Sequence, residues 1–260
     1  MSRHSRIPFF LAVSSHRATI AFAASVVTAS LVFWAFPALD LIVARLFYTP
    51  GDGFVLSADP ALRLLRASSS WALAGVVLIA VFCLARAALD GPLVWSRVRT
   101  PIWLLSALAI GPGLLANVLL KANWGRPRPI MIEHFGGDAV QQKVWVVSDW
   151  CDRNCSFVSG EASSAAWLVA AALVAPKSVR AAATATALVY ASALSLNRIA
   201  FGGHFLSDVV LAWLLCGLVF AVLHQLMLGK TIDAAADQPV TLTRAGKLQL
   251  RPLQRIGTDR

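Results

Sequence analysis

Three short stretches of the sequence carry side chains that could bind a phosphate group and attack it. The first is KANWGRPRP, in which Lys121, Arg126 and Arg128 follow a long apolar stretch. Arginine offers a planar fork for two phosphate oxygens, and lysine adds a point charge. Pro127 and Pro129 prevent extension of the preceding helix and favour an extended path. Taken alone, the same cations could instead reach lipid headgroups at a membrane surface.

The second stretch, CSFVSGEASSAAW, opens a helix rich in alanine and serine. Ser159 and Gly160 stand at its start, where free backbone N–H groups and the positive end of the helix dipole attract anions. Glu161, in the first turn, is also a residue that ordinary helix capping favours. By itself this stretch is therefore compatible with a simple cap as well as with a phosphate site.

The third stretch, LNRIAFGGHFLSD, joins two helices. Arg198 ends the first helix, Gly202 and Gly203 allow a tight turn, and His204 begins the second. Asp208 follows His204 by four residues, so both side chains project from one helical face. A carboxylate can hold an imidazole in one tautomer and make its other nitrogen a better nucleophile. The alternative for this pair is a structural cap at the helix start.

Apolar helices must hold these stretches in place. Hydrophobic residues make up 58% of the 260-residue chain and charged residues 14%, whereas soluble domains average about 45–50% and about 25%. The residues 39–66 predict short interfacial helices on the outer face, around a turn containing proline and glycine. Six stretches approach the roughly 20 residues that cross a bilayer and predict an all-α, polytopic membrane bundle: Ala18–Phe36, Ser70–Leu89, Pro101–Leu120, Ser159–Ala175, Ala181–Leu196 and Phe205–Leu228.

The distribution of basic residues predicts the orientation of this bundle. With both termini in the cytoplasm, 14 of the 23 Lys and Arg residues lie inside, as the positive-inside rule favours. The predicted organisation is a cytoplasmic segment 1–17, a membrane domain 18–228 and a basic cytoplasmic tail 229–260. The first span exceeds the about 7–15 apolar residues of a signal peptide core, which favours a retained helix over a cleaved leader. All three polar stretches then fall on the outer face.

Net charge and cysteine content indicate the partners and the compartment. The formal charge of +10 is split between both membrane faces, so anionic lipid is a better partner than nucleic acid. Cys151 and Cys155 lie four residues apart in the outer loop, without the His/Cys cluster of a metal site. The spacing favours a small disulfide in an oxidising compartment, and no metal is predicted.

The three stretches resemble the motifs of the type 2 phosphatidic acid phosphatase superfamily. This superfamily includes bacterial lipid phosphate phosphatases and, in fold, glucose-6-phosphatase and vanadium haloperoxidases. Its first motif is Lys, six residues, Arg-Pro, and its third is Ser-Arg, five residues, His, three residues, Asp. The matching residues are Lys121, Arg128, Pro129, Arg198, His204 and Asp208, with Asn197 in place of the serine.

The second motif departs from the family pattern. The family reads Pro-Ser-Gly-His, whereas this chain reads Val158-Ser159-Gly160-Glu161. The family histidine at this place is credited with protonating the leaving group, and here a carboxyl group replaces it.

The resemblance implies a mechanism with no cofactor and no metal. His204 would be the nucleophile that forms a phosphohistidine, Asp208 would orient it, and positive groups would stabilise the pentavalent transition state. The phosphate-binding residues that the resemblance implies are Lys121, Arg128, Ser159, Gly160 and Arg198.

The role of Glu161 has more than one interpretation. It could remain the general acid, which requires a protonated carboxyl group when substrate is bound. Alternatively, the leaving group could need little protonation, as with an isoprenyl diphosphate or the anomeric phosphate of lipid A. His134, in the outer loop, is a third candidate as a substitute acid.

Taken together, the sequence predicts an integral-membrane phosphatase of the bacterial inner membrane. It would act on an anionic lipid phosphate, a monoester or a diphosphate, at the periplasmic face. Transfer of phosphate to another lipid and an inactive, lipid-binding role are the alternatives. The sequence does not choose between phosphatidic acid, phosphatidylglycerol phosphate, undecaprenyl diphosphate and lipid A, and it indicates no oligomeric state.

Overall fold

The computed structural model describes residues 15–91, 94–229, 240–242 and 248–250. The predicted N-terminal segment up to residue 14, and most of the predicted tail, lie outside the described residues. The helices are α1 Ser15–Ala35, α2 Ala38–Arg45, α3 Pro60–Leu89, α4 Trp95–Leu108, α5 Gly160–Leu173, α6 Arg180–Ala200 and α7 Leu206–Leu228, and α4 continues as a π-helix over Ala109–Lys121. Short 3₁₀ turns cover Val55–Ala58, Pro129–Met131 and Glu133–Phe135, and strands β1 Val240–Leu242 and β2 Leu248–Leu250 pair antiparallel.

Among the described residues, four helices are long and apolar enough to cross a membrane. They are His16–Ala35, Pro60–Leu89, Trp95–Lys121 and Leu206–Leu228, which correspond to the first, second, third and sixth predicted spans. The second of these begins at Pro60 rather than at the predicted Ser70. The reason is local, because the Asp59 side chain accepts the N–H of Leu62 at 2.9 Å and Pro60 occupies the first turn, where proline is favoured.

The fourth and fifth predicted spans correspond to α5 and α6, which do not have that length and composition. α5 has 14 residues, or about 21 Å of helix against a hydrocarbon core of about 30 Å. Ten of those residues are buried, and most of them are alanine, glycine or serine. Small residues allow close approach of neighbouring helices, so α5 lies enclosed by α3, α4, α6 and α7. Six spans therefore stay a prediction.

The segment between α1 and α3 packs over the start of α7. It contains the short helix α2 and one 3₁₀ turn, on either side of the turn at residues 49–53, and their location at a membrane interface stays a prediction. Ala44, Phe54, Phe135 and Phe205 form a buried apolar cluster there, with Tyr48 against two of the rings. This cluster joins α2 and the long outer loop to the turn between α6 and α7, and so fixes the position of the third polar stretch.

Candidate active site

A cavity of about 840 Å³ opens between α3, the end of the π-helix, the start of α5 and the end of α6. Five of the eight predicted catalytic and phosphate-binding residues line it. These are Lys121, Arg128, Gly160, Glu161 and Arg198. The other three, Ser159, His204 and Asp208, are buried and do not line it. Ser159 and His204 directly adjoin the lining residues Gly160 and Gly203 in the chain, and the backbone carbonyl of Asp208 accepts the N–H of Ser159. The structure thus brings all eight residues together at one end of the bundle.

His204 is held by a hydrogen bond at one of its two ring nitrogens. Its side chain is buried, and its Nδ1 lies 2.7 Å from the backbone carbonyl oxygen of Ser156. A carbonyl oxygen can only accept, so Nδ1 carries the proton and Nε2 keeps its lone pair. Burial lowers the pKa of His204 well below its usual range, and the charges of Arg198, Lys121 and Arg128 act in the same direction. The imidazole is therefore neutral and nucleophilic at neutral pH.

Asp208 reaches the imidazole through Ser156. The sequence predicts a direct His204–Asp208 pair, but the carboxylate lies 4.0 Å from Nδ1. Its oxygens instead accept from the Ser156 hydroxyl at 2.5 Å, the Phe205 N–H at 2.8 Å and the Arg126 guanidinium at 2.5 Å. Ser156 thus binds the carboxylate with its hydroxyl and the imidazole with its carbonyl. A backbone carbonyl leaves no signal in a sequence, which is why sequence reasoning missed Ser156.

Arg126 is the buried centre of the network behind the cavity. It donates to Asp208 on one side, to Asp40 of α2 at 2.9 Å on the other, and to the Ser207 hydroxyl at 2.8 Å. Asp40 also accepts the backbone N–H of Ser207 at 2.8 Å. One cation thereby lies between two buried carboxylates. Arg126 and Arg128 look alike in the sequence, and Asp40 belongs to no motif, so the sequence did not single out this network.

Arg128 faces the cavity rather than the network. Its Nε and Nη2 donate to the carbonyl oxygen of Asn154, at 3.0 and 2.6 Å. Asn154 lies in the loop closed by the Cys151–Cys155 disulfide, whose Cα atoms are 5.7 Å apart. The disulfide-closed loop therefore positions one of the predicted phosphate-binding cations.

Glu161 bridges two arginines at the start of α5. Its Oε2 lies 2.5 Å from Nε of Arg198, and its Oε1 lies 3.0 Å from Nε of Arg66. Arg66 comes from α3 and was not predicted, although a charged residue on a membrane helix is itself a signal of function. His134, the other candidate acid, is exposed and is not among the residues that line the cavity.

The first turn of α5 is capped by Ser159 and meets the cavity at Gly160. The Ser159 hydroxyl accepts the N–H of Ala162 at 3.3 Å, and the Ser159 N–H binds the carbonyl of Asp208 at 3.1 Å. Gly160 lines the cavity and packs against Asn117, whose Oδ1 would lie 2.5 Å from an added Cβ. Ser159 therefore caps α5 and ties it to α7, while Gly160 exposes the helix start to the cavity.

Comparisons with known proteins found one matching family profile and several similar sequences. The sequence profile of the PAP2 superfamily matches residues 100–232. A lipid A 4′-phosphatase of Rhizobium leguminosarum is 37% identical over 206 residues, which cover 74% of this chain and 88% of the relative. Proteins of the same name are 42% identical over 136 residues in Francisella tularensis subsp. novicida, and 47% over 119 residues in Rhizobium etli. These matches cover 52% and 46% of this chain, and 61% and 46% of the relatives. No solved structure matches the chain significantly.

We expect Arg126→Ala to unfold the protein much more easily than Arg128→Ala. The first change leaves Asp40 and Asp208 buried without their cation, and breaking a buried ion pair in this way costs about 3–5 kcal/mol. The second removes the same side chain from a partly exposed position of the same segment, so its effect on stability is small. Thermal unfolding in detergent measures both. Equal midpoints for the two variants would contradict the structural role of Arg126.

His204 should give the stability of the protein an acid dependence. Below about pH 6.5 the unfolded chain takes up a proton on this imidazole, whereas the folded chain, whose His204 pKa is lowered, does not. The contribution of His204 to the free energy of unfolding is therefore complete above that pH. It decreases as the pH falls, by at most about 1.4 kcal/mol per pH unit. The measurement is thermal unfolding between about pH 7.5 and about pH 5. His204→Gln should lack this part of the pH dependence. If the unfolding midpoints of the wild type and of His204→Gln changed in parallel with pH, the role given to His204 would be refuted.

Proposed function

The chain belongs to the PAP2 superfamily, and from that premise we propose that it hydrolyses the 4′-phosphate of lipid A. The broader activity, that of a membrane-bound lipid phosphate phosphatase, follows from the family and from relatives that are 37–47% identical. The choice of lipid A rests on the names of those relatives and on the shape and charge of the cavity.

The observation that carries the proposal is the amphipathic character of the cavity. The cations Lys121, Arg128 and Arg198 line it together with the apolar side chains of Leu73, Leu168 and Leu194. A phosphorylated lipid combines an anionic headgroup with apolar chains. The cations of the cavity suit the headgroup, and its leucine side chains suit the apolar chains. The volume of about 840 Å³ is within the range of about 300–1,000 Å³ typical of ligand pockets.

In the proposed reaction, Nε2 of His204 attacks the phosphorus atom. A P–N bond forms, the bond from phosphorus to the sugar oxygen breaks, and that oxygen takes a proton from water. Water then attacks the phosphohistidine, the P–N bond breaks, and inorganic phosphate leaves the neutral imidazole. The guanidinium groups of Arg128 and Arg198 and the ammonium group of Lys121 stabilise the charge on the phosphate oxygens throughout.

The proposed orientation places this site in the periplasm, with both termini in the cytoplasm and α5 and α6 crossing the membrane with the other four helices. The bias of 14 of 23 basic residues toward the predicted inner face supports it. The Cys151–Cys155 disulfide, in the loop that contacts Arg128, also supports it, because disulfides persist in oxidising compartments such as the periplasm.

Glu161 is better placed to position arginines than to donate a proton. Both of its oxygens contact guanidinium groups, which stabilise a carboxylate, whereas a general acid must hold a proton on one of those oxygens. We infer that Glu161 orients Arg198 toward the phosphate and Arg66 toward the rest of the headgroup.

The purified protein in detergent should release inorganic phosphate from lipid A, and His204→Ala should reduce the rate more than about a thousandfold. Labelled lipid and a rapid alkaline quench should trap a phosphorylated protein in the wild type and not in His204→Gln. Faster release from phosphatidic acid, phosphatidylglycerol phosphate or undecaprenyl diphosphate would contradict the choice of headgroup. Label that moves to an added lipid rather than to water would show a transferase.

Glu161→Gln separates the two roles of this residue. If Glu161 positions arginines, kcat/KM should fall by a similar factor, about tenfold, on lipid A and on p-nitrophenyl phosphate, whose leaving group needs no acid. In the double variant with Arg66→Gln, the loss of transition-state free energy, calculated from kcat/KM, should then be smaller than the sum of the losses in the two single variants. A loss confined to lipid A would instead identify Glu161 as the proton donor.

A further inference from the structure

The cavity carries more positive charge than one phosphate group requires. Five cations line it, namely Arg63, Arg66, Lys121, Arg128 and Arg198, against one carboxylate, that of Glu161. The difference is four positive charges, and a phosphate monoester supplies about two negative ones. About two positive charges therefore remain uncompensated in a cavity that leucine side chains also line, which is a favourable place for a second anion.

The surplus charge is localised on α3. Arg63 and Arg66 are three residues apart in this helix, so they lie on one face, about one turn from each other. The three other cations belong to the predicted motifs, Lys121 and Arg128 to the first and Arg198 to the third. Arg66 contacts Glu161, whose other oxygen contacts Arg198, so Arg66 is the member of the pair that is joined to the cations near His204.

Both arginines of the pair are oriented and keep donors for a ligand. Nε of Arg63 donates to the carbonyl oxygen of Ser57 at 2.7 Å, and Nε of Arg66 binds Glu161 at 3.0 Å. Each of these bonds uses one of the five N–H donors of a guanidinium. Because the other oxygen of Glu161 contacts Arg198, this carboxylate stands between the α3 pair and the cations next to His204.

We propose that Arg63 and Arg66 form a second anion subsite, which binds another phosphate group on the headgroup of the same lipid. The enzyme then prefers a lipid with two phosphate groups to one that carries only the phosphate to be removed. Arginine forks suit this contact, because they bind two phosphate oxygens at once. The inference rests on the proposed function, since it concerns the same cavity and the same substrate.

The test compares two substrates, lipid A with both of its phosphate groups and the matched lipid A with the 4′-phosphate only. Wild type should have the higher kcat/KM on the first. Arg63→Gln should lower kcat/KM about tenfold on the doubly phosphorylated lipid and clearly less on the other, so that the preference falls. Arg66→Gln should lower the preference as well. It should also lower kcat/KM on both lipids, because Glu161 loses a partner.

Arg45→Gln is the matched control. It removes an arginine from the exposed surface of α2, outside the cavity, and should leave the preference at its wild-type value. A preference that is unchanged in Arg63→Gln and Arg66→Gln would overturn the second subsite, while the proposed function would stand on the activity of the wild type.

Binding to an inactive protein separates the two proposals further. In the His204→Ala background, Arg63→Gln should weaken binding of the doubly phosphorylated lipid about tenfold and binding of the other lipid less. Equal binding of both lipids by both proteins would overturn the subsite. A wild type that binds these lipids with this pattern and hydrolyses neither would overturn the proposed function alone.

Discussion

The active site depends on one buried guanidinium held between two carboxylates. Arg126 contacts Asp40 of α2 and Asp208 of α7, and through Asp208 and Ser156 this contact sets the position of His204. Charges taken out of water are tolerated only when they are paired and their hydrogen bonds are satisfied. The hydroxyl and N–H groups of Ser207 and the Ser156 hydroxyl complete that set. His204 is therefore held by a network whose residues do not line the cavity.

This arrangement separates the cations into two groups with different tasks. Arg126 is almost fully buried and neutralises carboxylates, whereas Lys121, Arg128 and Arg198 line the cavity, where a phosphate would neutralise them. The same phosphate would bring negative charge beside a neutral imidazole whose pKa is already lowered by burial and by these cations. A neutral imidazole with a free Nε2 lone pair and cations around it suits the attack on a phosphate that we propose.

The departure of the second motif from the family pattern has a structural counterpart. Where the family has a histidine, this chain has Glu161, and an arginine of α3, Arg66, lies against it. A carboxylate at this place makes it possible to hold Arg66 and Arg198 close to each other without direct repulsion. Glu161 and Arg66 therefore join the start of α5 to α3, and Arg66 adds positive charge to the lining of the cavity.

The sequence alone determined the all-helical membrane character, four of the spans and the three stretches that meet at the site. These follow from local properties, namely the length of apolar runs and the spacing of charged residues at helix ends. The motif resemblance already singled out Arg128, but only the tertiary structure decided that Arg126 is buried between two carboxylates, that Ser156 joins Asp208 to His204, and that Asp40 and Arg66 take part. Asp40 binds Arg126, from which it is separated by 86 residues in the sequence, and Ser207, from which it is separated by 167. Ser156 contacts His204 through its backbone carbonyl. Contacts made at such separations, or by atoms that every residue possesses, leave no pattern along the chain and exist only once the helices have packed.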